Sequence, residues 1–551
     1  MGRVGFALIT ERIMMTRVSY RPMAALGLAA AMLGYVGCTS KAPAPAGGGF
    51  ATEAVEKVKK EAQAPAGPDK ASGKDSLMNL PTPAGVLLIT GEQFGYLEPC
   101  GCTQGQLGGL LRRYDLVERL TTKKKWPAAL VDLGSLIKDP ASSRGGPEQA
   151  KIKFHTALNA LALMKYDALA LSPEDLKVGV DEAVGQFLNM PGAKPKIVAA
   201  NVTAAGLEAR VAPSVRTSAG PFKIGVTAVV DPERLKALKD PSLDLLVVKP
   251  IEESLGGVLA DLEKDTEIQV LLVQGAPEEA KRLGEKFPGF DVVVGTSAGA
   301  DPDADAVALN GGKTLLINVG HKGKYLGAVA LYQNADPKKR MHYQRVMLGT
   351  TYDGPAAPMK KLIEDEFRET LRDQGVVEKF PRRDYVNGAP GAKFVGAATC
   401  KDCHPNTFAK WATTKHAIAY ESLLKDPKPN VVFDADCVTC HTTGFEYNSG
   451  WMSAAITPAL KGNQCENCHG PGSKHSQEPD NTEYLGFMRV TAKQADKNQL
   501  CLRCHDEDNS PHFDFAKYYG QIVHKGLDDY QDPLVHKPRT VKPNAAAAAG
   551  K

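Results

Sequence analysis

The sequence has almost no cysteine to spare for structural disulfide bonds. Of its 11 cysteines, eight lie in four short repeats near the C-terminus, and the other three are Cys38, Cys100 and Cys102. Proteins that depend on a disulfide framework commit most of their cysteines to it. The distribution therefore excludes a disulfide scaffold and directs attention to the repeats.

A strong excess of charge is also missing. The net charge is +4 over 551 residues, with 43% hydrophobic and 24% charged residues. This composition is that of a globular protein, and the length allows two or three domains. We therefore expect no nucleic-acid partner, although local charged patches remain open.

The four repeats all have the pattern Cys-x-x-Cys-His. Two thiols at this spacing can add to the vinyl groups of a haem, and the adjacent imidazole can bind its iron. A single Cys-x-x-Cys could instead be a thioredoxin-like pair or half of a zinc site. Four copies, each followed directly by histidine, favour four covalently attached c-type haems. The attachment cysteines and proximal histidines would be Cys400, Cys403 and His404; Cys437, Cys440 and His441; Cys465, Cys468 and His469; and Cys501, Cys504 and His505.

Further histidines in the same region are candidates for the second axial ligand. We predict His416, His475 and His524 as distal ligands and His512 as a candidate fourth, whereas His536 is expected to be exposed. Each of them could instead be a solvated surface histidine. Four haems in so short a segment must supply much of the buried surface themselves, so a mainly helical, haem-packed domain is expected.

The N-terminus carries an export signal. Arg17 and Arg21 precede an apolar stretch at residues 22–37, which is too short for a membrane-spanning helix. Small residues before Cys38 resemble a bacterial lipobox, although Tyr35 stands where leucine is usual. A cleaved signal with an incidental cysteine is the alternative. We predict an exported lipoprotein, anchored through Cys38 at the periplasmic face or outer membrane of a Gram-negative-type cell.

Composition and hydrophobic patterning divide the chain into six segments. Alanine, proline, glycine and lysine dominate the second segment, which indicates a flexible tether. The predicted segments are a signal peptide at 1–38, the tether at 39–80, an α/β domain at 81–352, a helical linker at 353–393, the haem domain at 394–536 and a disordered tail at 537–551.

Short β-branched runs alternate with amphipathic stretches through the α/β segment, which indicates sheets covered on their faces. The last two predicted strands, residues 314–319 and 327–332, are closely spaced and suggest antiparallel pairing. Helices are expected at residues 107–120, 149–163, 252–263 and 278–286.

This segment resembles the 5′-nucleotidase branch of the metallophosphoesterases. The resemblance is carried by residues 86–99, by Gly108-Gly109-Leu110-Leu111-Arg112-Arg113, and by later runs such as Val131-Asp132-Leu133-Gly134 and Asp291-Val292-Val293-Val294-Gly295. It implies a four-layer α/β sandwich with two central sheets. It also implies a site for two metal ions held by Asp, His and Asn at strand ends.

The metal-ligand positions that the resemblance implies are occupied by other residues. They are Glu92, Phe94, Ser135, Pro173, Glu174, Gln274 and the run Thr296-Ser297-Ala298-Gly299. Two glutamates cannot rebuild a dinuclear site. We therefore predict that phosphoesterase activity is absent. Nearby, Cys100 and Cys102 could bind a soft metal, form a disulfide, pair with a partner's thiol, or remain free.

Residues 394–526 resemble the tetrahaem cytochrome c-554 family. The match is carried by Phe394-Val395-Gly396, by Trp411 with His416, by residues 437–444, and by Cys465-Glu-Asn-Cys-His-Gly-Pro-Gly with His475. The resemblance implies periplasmic electron transfer through haems that are mostly bis-histidine ligated, with one iron sometimes five-coordinate.

Three functions remain open at this stage. The first is an electron carrier between periplasmic or membrane redox proteins, with the α/β domain as docking element or scaffold. The second is a multihaem oxidoreductase acting on a small nitrogen or sulfur compound at an open haem, with Tyr518, Tyr519 and Lys525 as available acid–base groups. A redox-regulated nucleotidase is the third, and the missing ligands argue against it. The sequence favours a carrier over an enzyme and leaves the oligomeric state open.

Overall fold

The computed structural model describes residues 77–99, 106–204, 210–334 and 339–528, all of which belong to one compact unit. The predictions for the signal peptide, Cys38, most of the tether, Cys100, Cys102, His536 and the tail lie outside the described residues. No helix in the described ranges is long and apolar enough to cross a membrane.

Two mixed sheets form the centre of the α/β part. The first has the strand order β15-β14-β1-β2-β3-β4-β6, and the second has the order β12-β13-β11-β10-β8-β7. Strands β5 and β9 form a separate pair. The strand bounds are β1 Gly85–Thr90, β2 Ala128–Asp132, β3 Ala168–Ala170, β4 Lys196–Val198, β5 Val202–Ala204, β6 Val211–Ala212, β7 Ser214–Ala219, β8 Phe222–Val230, β9 Leu246–Val248, β10 Ile268–Gln274, β11 Val292–Gly295, β12 Val307–Leu309, β13 Thr314–Asn318, β14 Tyr325–Leu331 and β15 Met341–Met347.

The two sheets pack face to face with helices outside. Side chains alternate along β1, so that Leu87 and Ile89 enter the core between the sheets while Val86 and Leu88 enter the core under the helices. A third core lies on the outer face of the second sheet and includes Leu255. Both faces of β1 are therefore buried, which explains its unbroken apolar sequence. The predicted four-layer α/β sandwich is confirmed.

The helices described in the α/β part and in the segment after it cover the outer faces of the sheets. They are α1 Leu110–Glu118, α2 Gly146–Leu163, α3 Val180–Asn189, α4 Pro232–Lys236, α5 Ile251–Leu262, α6 Pro277–Lys286, α7 Ala357–Lys360 and α8 Arg368–Gln374. A π-helical segment, Lys361–Phe367, joins the last two.

The last strands of the α/β part form antiparallel pairs, as expected, but the last two predicted strands do not pair with each other. Strand β13 pairs antiparallel with β12 and in parallel with β11 in the second sheet, whereas β14 pairs antiparallel with β1 in the first. The chain crosses between the sheets after β13, which spacing along the sequence does not reveal. The antiparallel neighbour of β14 on its other side is β15, which the sequence analysis missed.

The C-terminal part is built from short helices, as expected for a mainly helical haem domain. They are α9 Ala397–Cys400, α10 Pro405–Ala412, α11 Ala419–Leu424, α12 Ala435–His441, α13 Cys465–His469, α14 Ser473–Gln477, α15 Thr482–Met488, α16 Ala492–Lys497 and α17 Phe515–Ile522. One continuous core joins this part to the α/β part through Met359 and Phe367 of the predicted linker and Phe445 and Trp451 beyond it.

Candidate haem centres

The Cys-x-x-Cys-His motifs lie on single helical turns or at their ends. Helices α12 and α13 each end at the motif histidine, and α9 ends at Cys400. The fourth motif starts with a 3₁₀ turn, Cys501–Arg503. Residues three and four apart on a helix share one face, so a helical turn presents both sulfurs and the imidazole to the same side. This is the arrangement that covalent haem attachment requires.

In three motif histidines, one ring nitrogen already has a hydrogen-bond partner. The Nδ1 atoms of His441 and His469 lie 2.7 Å from the carbonyl oxygens of Ala419 and Met488. The Nδ1 atom of His505 lies 2.8 Å from a serine hydroxyl. A hydrogen bond at Nδ1 orients the ring and leaves Nε2 for a metal. Burial also lowers the pKa of all four motif histidines and so favours the neutral ligating form.

Three of the motif histidines face a second histidine. The ring centres are 6.5 Å apart for His404 and His475, 5.9 Å for His505 and His416, and 5.7 Å for His469 and His524. Two metal–nitrogen bonds of about 2 Å, plus about 1 Å from each nitrogen to its ring centre, give about 6 Å across a bis-histidine metal. The three predicted distal ligands therefore lie where such ligation needs them.

The pair of His404 and His475 illustrates how the chain builds this geometry. Gly470 has φ of 77° directly after the third motif, and a side chain there would meet the ring of Tyr385. The resulting turn carries His475 away from its own motif to the first one. Its Nδ1 atom is buried without a hydrogen-bond partner among the described residues. A buried imidazole with an unpartnered nitrogen, whose ring centre lies 6.5 Å from that of a second imidazole, fits a metal between the two rings.

The second motif differs from the other three. Among the described residues, no ring contact joins His441 to another histidine. His512, the candidate fourth distal ligand, is exposed and is not brought to a motif histidine. Its ligand role therefore stays a prediction without a structural partner.

Sulfur contacts arrange the four motifs in two pairs. Cys400 lies beside Cys465, which places the first motif against the third. Cys504 lies beside Cys440, which places the fourth motif against the second. Haems attached at these cysteines would therefore lie close together within each pair.

Glu466, inside the third motif, is a structural residue that the sequence analysis missed. Its buried carboxylate accepts hydrogen bonds from the backbone N–H groups of Val395, Gly396 and Gly472 at 2.8–3.1 Å. Burial raises its pKa, while these hydrogen bonds act in the opposite direction. One carboxylate thus ties together the entrance to the first motif, the third motif and the loop that carries His475. No pattern in a single sequence distinguishes this glutamate from a solvated one.

In the α/β part, replaced ligand positions such as Ser135 and Gln274 lie at the carboxyl ends of the strands. The Oγ atoms of Ser135 and Ser172 are 3.0 Å apart, and Gln274 Nε2 lies 3.4 Å from Ser135 Oγ. Gln274 also donates to the carbonyl of Leu133. Hydroxyl and amide groups therefore fill the centre of this edge and hydrogen-bond one another.

Glu92 and Glu174 have different surroundings. Glu92 is 5% exposed, accepts a hydrogen bond from Ser297 N at 3.2 Å and lies 3.6 Å from His321 Nε2. Burial raises its pKa to about 7. Glu174 pairs with Arg234 at 3.1 Å beside an open pocket of about 650 Å³. No cluster of three or more His, Cys, Asp or Glu within the described ranges is placed to hold a metal ion.

Comparisons with known proteins agree with the C-terminal geometry. Residues 399–470 match the family "Cytochrome c554 and c-prime", and residues 457–510 match the "Doubled CXXCH motif" family. The chain is 38% identical over 139 residues to cytochrome c-554 of Nitrosomonas europaea, covering 21% of this chain and 59% of that protein. The chain thus spans about three fifths of that relative's length. The C-terminal part carries a cytochrome c554-type region with covalent c-type haem attachment.

Solved structures similar to the chain include phosphoesterases. One is a 5′-nucleotidase precursor from Thermus thermophilus, with 19% identity, coverage of 54% of this chain and 64% of that chain, and a TM-score of 0.42. Another is the calcineurin-like phosphoesterase YfkN from Bacillus subtilis, with 19% identity, coverage of 52% and 98%, and a TM-score of 0.43.

Proposed function

We propose that the protein is an exported tetrahaem electron carrier. The observation that carries this proposal is the set of three histidine pairs, each joining a motif histidine to a second histidine at about the distance that bis-histidine ligation needs. Each bound haem supplies an iron that cycles between ferric and ferrous states. Two strong axial ligands leave no position for a substrate, which suits electron transfer.

The protein's own residues perform two tasks in this function. Each histidine pair would hold one haem iron, and the hydrogen bonds at Nδ1 of His469 and His505 would keep these two rings oriented. The sulfur contacts from Cys400 to Cys465 and from Cys440 to Cys504 bring the attachment sites into two adjacent pairs. Short separation within each pair favours rapid electron exchange.

Haem counting and a ligand titration together test the proposal. The matured protein should give four haems per chain by pyridine haemochrome. Carbon monoxide added to the reduced protein should shift the spectrum of one haem in four, the one at the second motif. A haem count other than four would contradict the proposal. Carbon monoxide binding by two or more haems would also contradict it, because three haem irons should be closed to added ligands.

At the second motif, no ring contact among the described residues joins His441 to another histidine, and this favours one second candidate function. An iron with an open position could reduce or oxidise a small nitrogen or sulfur compound there. Turnover of hydroxylamine, nitrite or sulfite that carbon monoxide inhibits in proportion to its occupancy of that haem would establish this function. If none of the three compounds is turned over although one haem is open, electron transfer remains the proposed function.

We infer that the α/β part has no phosphoesterase activity and serves as scaffold or docking element. The support is chemical: hydroxyl and amide groups occupy the former ligand positions at Ser135 and Gln274, and they are hydrogen-bonded to protein partners. The test is hydrolysis of nucleotides and p-nitrophenyl phosphate with added Mn²⁺, Zn²⁺ or Mg²⁺. Metal-dependent turnover above the rate of metal alone would overturn this inference.

The location and partners are also proposals. The predicted signal and lipobox-like Cys38 support an exported protein anchored by lipid, with periplasmic or membrane redox proteins as partners and no nucleic acid. Replacement of Cys38 by serine should release the haem protein from the membrane fraction into the periplasmic fraction. An unchanged membrane fraction would exclude this anchor.

A further inference from the structure

Side chains of the α/β part bind the polypeptide beside two of the four haem motifs. Two aspartates, Asp434 and Asp436, lie just before Cys437 of the second motif, and two more, Asp506 and Asp508, lie just after His505 of the fourth. Side chains from the α/β part hydrogen-bond or pair with all four. The second and fourth motifs are also the two that the contact between Cys440 and Cys504 joins.

Helix α2 holds the second motif. Gln149 Nε2 donates to Asp434 Oδ1 at 2.8 Å, and Gln149 Oε1 accepts from the backbone N–H of Ala435 at 2.9 Å. One turn further along, Lys153 forms an ion pair with Asp436. Gln149 and Asp434 are both buried. These contacts fix the first turn of the helix that carries Cys437, Cys440 and His441.

Loops at the strand ends hold the segment after the fourth motif. Tyr96 donates its hydroxyl to Asp508 Oδ2 at 2.6 Å, and Lys322 pairs with the same carboxylate. Gln106 Nε2 donates to the Asp508 carbonyl at 2.9 Å. Arg144 pairs with Asp506 and donates from Nη2 to the carbonyl oxygen of Arg503 at 3.0 Å.

Arg144 is central because it acts on both motifs. Its guanidinium binds the Arg503 carbonyl and Asp506, on either side of Cys504 and His505, and lies near Cys440 as well, so a positive charge lies beside an attachment site of each motif. Its side chain is 30% exposed, so water screens this charge only in part. By contrast, Glu466 and Asp528, which belong to the haem part itself, bind the segments around the first motif.

A fixed cation affects the redox equilibrium of a nearby haem in a predictable direction. Reduction adds one electron to a ferric iron and gives the ferrous form, which lowers the positive charge of the centre by one. A nearby guanidinium therefore stabilises the reduced form more than the oxidised form. Loss of Arg144 also leaves the Asp506 carboxylate without this partner, and that negative charge lowers the potential, as the loss of the cation does.

We propose that the α/β part is a clamp on the haem pair of the second and fourth motifs, with Arg144 as the positioning residue that raises the reduction potentials of both haems. This inference rests on the proposed electron-carrier function and adds which haem pair the α/β part controls. It gives the former phosphoesterase fold a role in setting the driving force for electron transfer.

The test is a potentiometric optical titration of the mature full-length protein with dithionite and redox mediators. The variants are Arg144→Gln, which removes the charge, and Arg144→Lys, which keeps it. Arg216→Gln is the matched control, because Arg216 is a similarly exposed, ion-paired arginine on β7. In Arg144→Gln, we expect two of the four haem transitions to shift to lower potential. A tenfold change in the ratio of reduced to oxidised haem corresponds to about 59 mV for a one-electron couple.

Each outcome decides the inference. Two lowered transitions in Arg144→Gln, restored in Arg144→Lys and absent in Arg216→Gln, support it. Four unchanged transitions, or an equal shift of all four, overturn it. If Arg144→Gln fails to mature, Lys153→Gln serves instead and should shift one transition, and no shift overturns the clamp. Failure of the electron-carrier proposal can be told apart from failure of this inference. It would appear in the unmodified protein, as a haem count other than four or as carbon monoxide binding by two or more haems.

Discussion

Replacement of Glu92 by glutamine should stabilise the protein above neutral pH. Glu92 is 5% exposed, and burial raises its pKa from the ordinary 4.5 to about 7. Its carboxylate accepts a hydrogen bond from Ser297 N at 3.2 Å, which the amide oxygen of glutamine can also accept. The substitution thus removes the ionisable group and preserves its shape and one hydrogen bond.

The direction of this stability change with pH follows from proton linkage. Because the folded-state pKa is above the unfolded-state value, the folded protein binds the proton more tightly between pH 4.5 and 7. The contribution of Glu92 to stability is fully present below pH 4.5 and is lost as pH rises to about 7. A tenfold difference in proton affinity corresponds to about 1.4 kcal/mol, so ionisation of this buried group costs about 3 kcal/mol above neutral pH. The glutamine side chain avoids that cost, because it stays neutral at every pH.

The assay compares urea unfolding of the two proteins by far-UV circular dichroism from about pH 4 to about pH 8. The difference in the free energy of unfolding should be near zero at the acidic end and should approach about 3 kcal/mol in favour of the variant at the alkaline end. Glu253→Gln, at an exposed position on α5, should show no such trend. A difference that does not depend on pH would refute the reasoning, as would one that favours the unmodified protein at the alkaline end.

Other substitutions test the haem part. His416→Ala should raise the fraction of haem that binds carbon monoxide from one in four to two in four, whereas His512→Ala should leave it unchanged; an equal effect of both would contradict the pairing. Glu466→Ala leaves three backbone N–H groups without their carboxylate acceptor and should lower the free energy of unfolding by about 3 kcal/mol, measured by urea denaturation. Asp528→Ala removes the side chain that accepts from the first N–H groups of Pro405–Ala412 and should cost about 1 kcal/mol in the same assay, with Asp528→Asn losing less.

The parts of the molecule that depend on local chemistry could be predicted from the sequence. The haem motifs can be predicted because covalent attachment fixes the spacing of two cysteines and one histidine. Strand β1 can be predicted because burial on both faces requires an unbroken apolar run. His475 was identified by the turn that follows its motif, and the structure places it opposite His404.

Features that depend on contacts between distant segments could not be predicted in this way. Arg144 and Asp506 are 362 positions apart, and nothing near either residue indicates the other. The exchange of β13 and β14 between sheets is equally invisible, since their apolar runs would suit either sheet. The buried role of Glu466 depends on three N–H groups that only the folded chain brings to one carboxylate.

The shared core changes how the division between the two parts should be understood. Sequence patterns divide the chain near residue 394, where apolar alternation gives way to haem motifs. The buried core crosses that point, because Met359 and Phe367 belong to the same apolar cluster as Phe445 and Trp451. Removal of the α/β part would expose this apolar surface and would also strip Asp434 and Asp506 of their partners Gln149 and Arg144. The haem part is therefore completed by the α/β part, which supplies both apolar packing and the partners of Asp434 and Asp506.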